Sequence, residues 1–241
     1  MAAKGKSPNR PSSISGRPPR RGAPPPIAVS RPRPWGLIAA TVAVVVFAAA
    51  VIGYAVVQVR QKAATTPEAK AAAAAKIEGI SVVSFPSRQH KQGAVTYQQS
   101  PPFGGDHDPE WADCTGTVYP SPIRNENAVH SLEHGAVWIT YQPDLPSGDV
   151  DKLKKRVEGT DYMLLSPYPG LKSKVSVQSW GHQLFVDSVD DKRLDKFVKD
   201  LRLNSATTPE FGAQCTNPAF KATPRPPDGS AAASPSASAK P

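Results

Sequence analysis

Val129-His130-Ser131-Leu132-Glu133-His134-Gly135 runs directly into Ala136-Val137-Trp138-Ile139-Thr140-Tyr141. The first seven residues read as a turn of helix. On a helix, positions four apart share a face with Cβ atoms about 5–6 Å apart, so the rings of His130 and His134 lie side by side. That spacing suits two nitrogen ligands of one metal ion. Gly135 stands where a helix stops, because glycine accepts the left-handed backbone that closes one. The alternating apolar run that follows predicts a strand over residues 136–141. The paired histidines therefore belong at the mouth of a sheet, on well-anchored backbone.

Downstream of this stretch, Val150, Leu153 and Val157 fall at helical spacing and predict a helix over residues 147–158. Residues 162–165 read as an apolar strand and residues 167–170 as a turn. Residues 175–180 and 183–186 read as two strands across Gly181-His182. Leu194, Phe197, Val198 and Leu201 give a final helix over residues 190–203 its buried face. Upstream, residues 80–85 predict a first strand. Residues 88–119 are rich in glycine and proline and irregular, and a loop of that length in a compact domain is usually functional or disordered. Strands in runs with two helices, without strict alternation, predict an α+β domain over residues 77–220: a small antiparallel sheet with helices on one face.

The ends differ in kind. The net charge is +9, but Lys4, Lys6, Arg10, Arg17, Arg20, Arg21, Arg31 and Arg33 contribute eight of those charges with no acid among residues 1–34. The body is close to neutral, so the high pI describes an arm and excludes a nucleic-acid-binding domain. That arm, rich in Pro, Arg, Ser and Gly, is expected to be disordered. Residues 36–57 carry no charge. About 22 residues at 1.5 Å each cross the roughly 30 Å hydrocarbon core, so residues 35–59 predict a single transmembrane helix in a lipid bilayer. Arg60, Lys62, Lys70 and Lys76 beyond it are diluted by Glu68 and Glu78. The charge asymmetry predicts a cytoplasmic N-terminus and an extracytoplasmic body. The span is too long and its basic flank too extended for a cleaved signal peptide. Thr66-Pro67 reads as an N-cap and first helical residue. Residues 60–76 are then an alanine-rich stalk with little to pack against. Residues 221–241 are expected to be a disordered tail.

Cys114 and Cys215 are the only cysteines. In an oxidising compartment a disulfide is the default expectation. Of the five histidines, His182 is assigned to the hairpin turn. His90, His107, His130 and His134 all precede the strand at residues 136–141. His107 follows Gly104-Gly105-Asp106, where glycine lets the backbone fold tightly. Three or four neutral imidazoles suit Zn²⁺ or Cu²⁺. With Met1 and Met163 the only methionines, a methionine-rich Cu⁺ site is unsupported. His130 to His134 also fits H-x-x-E-H, the pattern of zinc hydrolases in which the glutamate is the general base.

Pro101-Pro102-Phe103-Gly104-Gly105-Asp106-His107, Trp111, Tyr119, the stretch Asn127 to Val137, Ser166-Pro167-Tyr168-Pro169 and Ser179-Trp180-Gly181 together resemble the DUF3105 family of bacterial, often actinobacterial, membrane-anchored proteins. The resemblance covers roughly residues 81–215. Where the family usually has alanine before Trp180 this chain has Ser179, and where arginine often follows the glycine it has His182. The family has no established activity; the resemblance implies histidines matching His90, His107, His130 and His134, and so strengthens the metal reading. The expectation is a single-pass protein of the cell membrane whose ectodomain binds zinc or copper through His107, His130 and His134, with His90 as a fourth ligand. Glu133 is expected to orient a ligand ring. The competing readings are a cell-envelope protein that binds a protein partner and whose histidines are structural, and a metallohydrolase.

Overall fold

The computed structural model describes Gly22 and residues 34–227. The basic arm, save Gly22 and Pro34, and the tail beyond residue 227 lie outside the described residues. Helix α1 (Trp35–Ala64) has no buried residue and is long and apolar enough to cross a membrane, by length and composition.

The body is α+β, built on a six-stranded open sheet. In chain order its elements are α2 (Pro67–Ala74), β1 (Ser81–Val82), β2 (Thr115–Val118), α3 (Asn125–Glu133), β3 (Val137–Tyr141), α4 (Ser147–Val157), β4 (Met163–Pro167), β5 (Val175–Ser179), β6 (His182–Val186), α5 (Lys192–Leu201) and α6 (Pro218–Ala222). The strand order is β1-β6-β5-β3-β4-β2. Half of the sheet is antiparallel as expected: β1 with β6, β6 with β5, and β5 with β3. The other half is parallel, β3 with β4 and β4 with β2, which corrects the expectation of an all-antiparallel sheet. The reason is the connection. A whole helix, α4, carries the chain from β3 to β4, and a crossover of that length returns it in the same direction.

Alternation along the strands sends side chains to two cores. Val137, Ile139, Met163, Leu165, Val175, Val177 and Leu184 pack with Leu153 of α4 and Leu194 and Phe197 of α5. Trp138 and Leu164 point the other way, onto Ala128 and Leu132 of α3 and Phe220 of α6. Helices therefore cover both faces, not one. The second face was hidden because α3 is short and α6 lies in residues expected to carry no pattern or to form the tail. Burying one such Leu or Phe stabilises by about 1.5–3 kcal/mol.

Three further expectations change. The first strand is reduced to the two residues of β1, an edge strand, and the irregular segment 88–119 contains β2. Helix α2 is not a free stalk. Thr66 Oγ1 caps it by accepting from Ala69 N at 3.2 Å, as read from the sequence, but the helix packs on α5. Ala74 is fully buried, Lys196 Nζ donates to the Ala73 carbonyl at 3.1 Å, and Asn204 Nδ2 donates to the Pro67 carbonyl at 3.0 Å. Alanine has little area to bury, but it lets two helix backbones approach closely. Finally, His182 is the first residue of β6, not a turn residue.

Candidate metal centre

Helix α3 delivers the central side chains. It ends in a Schellman motif: Gly135 N donates to the Leu132 carbonyl and Ala136 N to the Ser131 carbonyl, each at 3.0 Å. Gly135 adopts φ +104°, and a Cβ there would stand 3.2 Å from the Thr208 methyl. The stop fixes His130, Glu133 and His134 on one side of the helix end, all buried. His107 arrives from the Gly/Pro-rich loop. Gly104, at φ +156°, packs so closely on the Phe85 ring that a Cβ would stand 2.3 Å from one of its carbons. His90 arrives beside it through a short parallel bridge, with His107 N donating to the Gln89 carbonyl at 3.1 Å and Lys91 N to the His107 carbonyl at 2.7 Å. Asp106 ties this strap down. It accepts from Gln89 N at 2.9 Å, from Ser87 Oγ and from Lys91 Nζ, and these contacts hold its carboxyl down at about 2.

The imidazoles are oriented by the backbone. His107 Nδ1 lies 2.8 Å from the Gly105 carbonyl, His130 Nδ1 2.7 Å from the Asp108 carbonyl, and His134 Nδ1 2.8 Å from the Gln214 carbonyl. A carbonyl only accepts, so each Nδ1 carries the proton. Each Nε2 is left with the lone pair that a metal would use, the arrangement in which an outer hydrogen bond fixes a ligand's tautomer. Burial pushes His130 down to about 4 and lowers His134 as well. Both rings are therefore neutral and ready to donate at neutral pH.

The His107 Nε2 and Glu133 Oε2 atoms are 2.8 Å apart, yet among the described residues each lacks a hydrogen bond of acceptable geometry, and both are buried. A neutral imidazole lone pair facing a carboxylate oxygen at that distance is repulsive unless a proton or cation stands nearby. Arg88 Nη1 reaches the other Glu133 oxygen at 3.1 Å, and His90 Nε2 lies 3.5 Å from Oε2. Burial alone would raise the Glu133 carboxyl; a proton shared with His107, together with the Arg88 guanidinium, outweighs it and holds the group low.

Two overlapping groups result. His90, His107, His130 and Glu133 place their donor atoms within 4.8 Å of one another, and so do His130, His134 and Glu210. Tetrahedral ligation at about 2.0–2.1 Å puts donors about 3.3 Å apart, a contraction that small side-chain rotations supply. Either group could hold a metal ion. His107 and His134, expected to share an ion with His130, share no group; His130 belongs to both. Glu133, expected only to orient a ring, stands among the donors, because position i+3 of the helix faces His107. Glu210 was missed. Its signal was indirect: it lies five residues before Cys215, whose bridge to Cys114 returns that segment to the histidine loop. The bridge is present, with Cα atoms 4.9 Å apart. His182 stands outside both groups, with Nδ1 on the Trp180 carbonyl at 2.9 Å.

The fold and site together define a class: an α+β protein with one possible N-terminal membrane helix and a buried cluster of histidines and glutamates able to hold a metal ion. Residues 89–217 match the family described as "Protein of unknown function (DUF3105)", and the chain belongs to that family. Comparison with curated proteins and with solved structures returns no match.

Proposed function

We propose that the protein is a single-pass, membrane-anchored metal-binding protein. In this reading α1 sits in the bilayer of the cell membrane, the basic arm is cytoplasmic and the body is extracytoplasmic. The body takes Zn²⁺ or Cu²⁺ on His90, His107, His130 and Glu133. The observation that carries the reading is the pairing of carbonyl-locked Nδ1 atoms with Nε2 atoms that converge on a buried carboxylate. Imidazole and carboxylate donors suit Zn²⁺ and Cu²⁺, and the two cysteines, joined to each other, supply no thiolate. The reading of the histidines as structural, in a protein whose role is to meet a cell-envelope partner, gains from one contact: a protonated His107 paired with Glu133 would need no metal.

Metal analysis of the full chain, purified natively in detergent, followed by calorimetric titration with Zn²⁺ and Cu²⁺, separates these. One bound ion per chain is expected. Replacing His130, which belongs to both groups, with Ala should weaken binding roughly 100-fold or more, beyond the 10–100-fold typical of an outer contact. His182→Ala should leave it unchanged. No binding by the wild-type chain leaves the structural reading. Protease added outside spheroplasts should digest the body and spare the arm; a protected body overturns the orientation.

A further inference from the structure

The two donor groups meet at one atom. His130 Nδ1 is committed to the Asp108 carbonyl, so Nε2 is the only nitrogen it can offer, and one lone pair binds one ion. The groups cannot both be filled. Each nevertheless has the same composition in outline: buried imidazoles plus one half-exposed donor, His90 for the first and Glu210 for the second, with side chains 43% and 40% exposed.

The second group is built, not incidental. Glu210 N donates to the Glu133 carbonyl at 3.0 Å and Gly212 N to the His134 carbonyl at 3.2 Å, which laces residues 210–214 onto the end of α3. The Gln214 carbonyl sets the His134 tautomer, and Cys215 next to it is bonded to Cys114. Glu210 Oε2 stands 3.6 Å from His134 Nε2. Trp111 packs against the rings of both His130 and His134, at 5.7 and 5.2 Å between centroids, and walls this side.

We propose that the cluster carries one divalent transition-metal ion in two alternative positions, one on His90, His107, His130 and Glu133 and the other on His130, His134 and Glu210. The ion passes between them while remaining bound to His130. With a solvent-facing donor at each end, the cluster is suited to taking up an ion on one side and releasing it on the other. This rests on the metal-binding reading above and adds transfer to it.

The test uses Co²⁺ with the full-length protein in detergent, read by its visible absorption and by stoichiometry. His90→Ala and Glu210→Gln alter half-exposed side chains, and unchanged circular dichroism checks the fold of each. The wild-type chain should bind one Co²⁺. The two variants should also bind one each, about two- to tenfold more weakly because the other position remains. Their spectra should differ from each other, and the wild-type spectrum should be a weighted sum of the two. Two ions per wild-type chain, or a Glu210→Gln spectrum identical to wild type, overturns the shared-site proposal while leaving metal binding intact. No Co²⁺, Zn²⁺ or Cu²⁺ bound by the wild-type chain overturns both.

Discussion

Gly104→Ala joins the fold to the site. A Cβ at this position would stand 2.3 and 2.5 Å from two carbons of the Phe85 ring. The ring must then move, and it is held edge-on by Phe103 at 5.6 Å and Trp180 at 5.9 Å. Overpacking of this kind costs about 1–3 kcal/mol. The backbone at φ +156° adds roughly 1–3 kcal/mol for any residue with a Cβ. Together the variant should lose about 2–6 kcal/mol. For a chain of this size that is roughly 4–24 °C in Tm. The effect should reach the histidines, because the next residue, Gly105, supplies the carbonyl that orients His107, and Trp180 packs on the His107 ring. Thermal unfolding followed by tryptophan fluorescence measures the first part and metal titration the second. The mechanism is the clash, so Phe85→Ala should cost less in the Gly104→Ala background than alone. Additive costs, or a Gly104→Ala chain within about 0.5 kcal/mol of wild type, would falsify this account of the glycine.

Acid should destabilise the metal-free protein. His130 sits near 4 when folded and returns to about 6.5 when unfolded, so its contribution is complete above pH 6.5 and is lost as pH falls from 6.5 towards 4. The loss comes to about 3 kcal/mol for this ring alone; a denaturant midpoint flat across that window contradicts it. Reducing the Cys114–Cys215 bond, which closes a separation of 101 residues, should cost up to about 4.7 kcal/mol, and thiol labelling of the unreduced, denatured chain should find nothing. Asn204→Ala removes buried bonds to the carbonyls of Pro67 and Asp200, at 3.0 and 2.7 Å. It should cost about 1–3 kcal/mol and hasten proteolysis around α2; cleavage at the wild-type rate argues that the helix is not docked.

Where side chains alternate or recur at helical spacing, the sequence was legible. Ala136 to Tyr141, Leu153 with Val157, and Leu194 with Phe197 all point into a core as their periods require. Strand β2 was not legible, because Thr115-Gly116-Thr117 has no apolar alternation and is defined by its pairing with β4. The docking of α2 was hidden by its alanines, whose contribution is closeness and not area. At the site, His130 with His134 announced themselves by spacing. The division of the histidines into two groups did not, because it depends on which carbonyl holds each Nδ1 and on Glu210, brought in by a bridge from a distant part of the chain.

The Cys114–Cys215 bond also decides which parts of the chain bear load. Strands β2 to β6 with α3, α4 and α5 lie between the two cysteines, inside a covalent ring. Tension applied between α1 and the chain beyond Cys215 runs through the sulfur atoms and bypasses that ring. Pulling can unravel the strap carrying His90 and the loop carrying His107, but it cannot draw out the strands or the helix that holds His130 and His134. Breaking the bond would release a further length of about 350 Å, at roughly 3.5 Å for each of the 101 residues. In the oxidised protein a mechanical pull would therefore open the donor group that contains His90 and His107 and leave the group of His130, His134 and Glu210 standing.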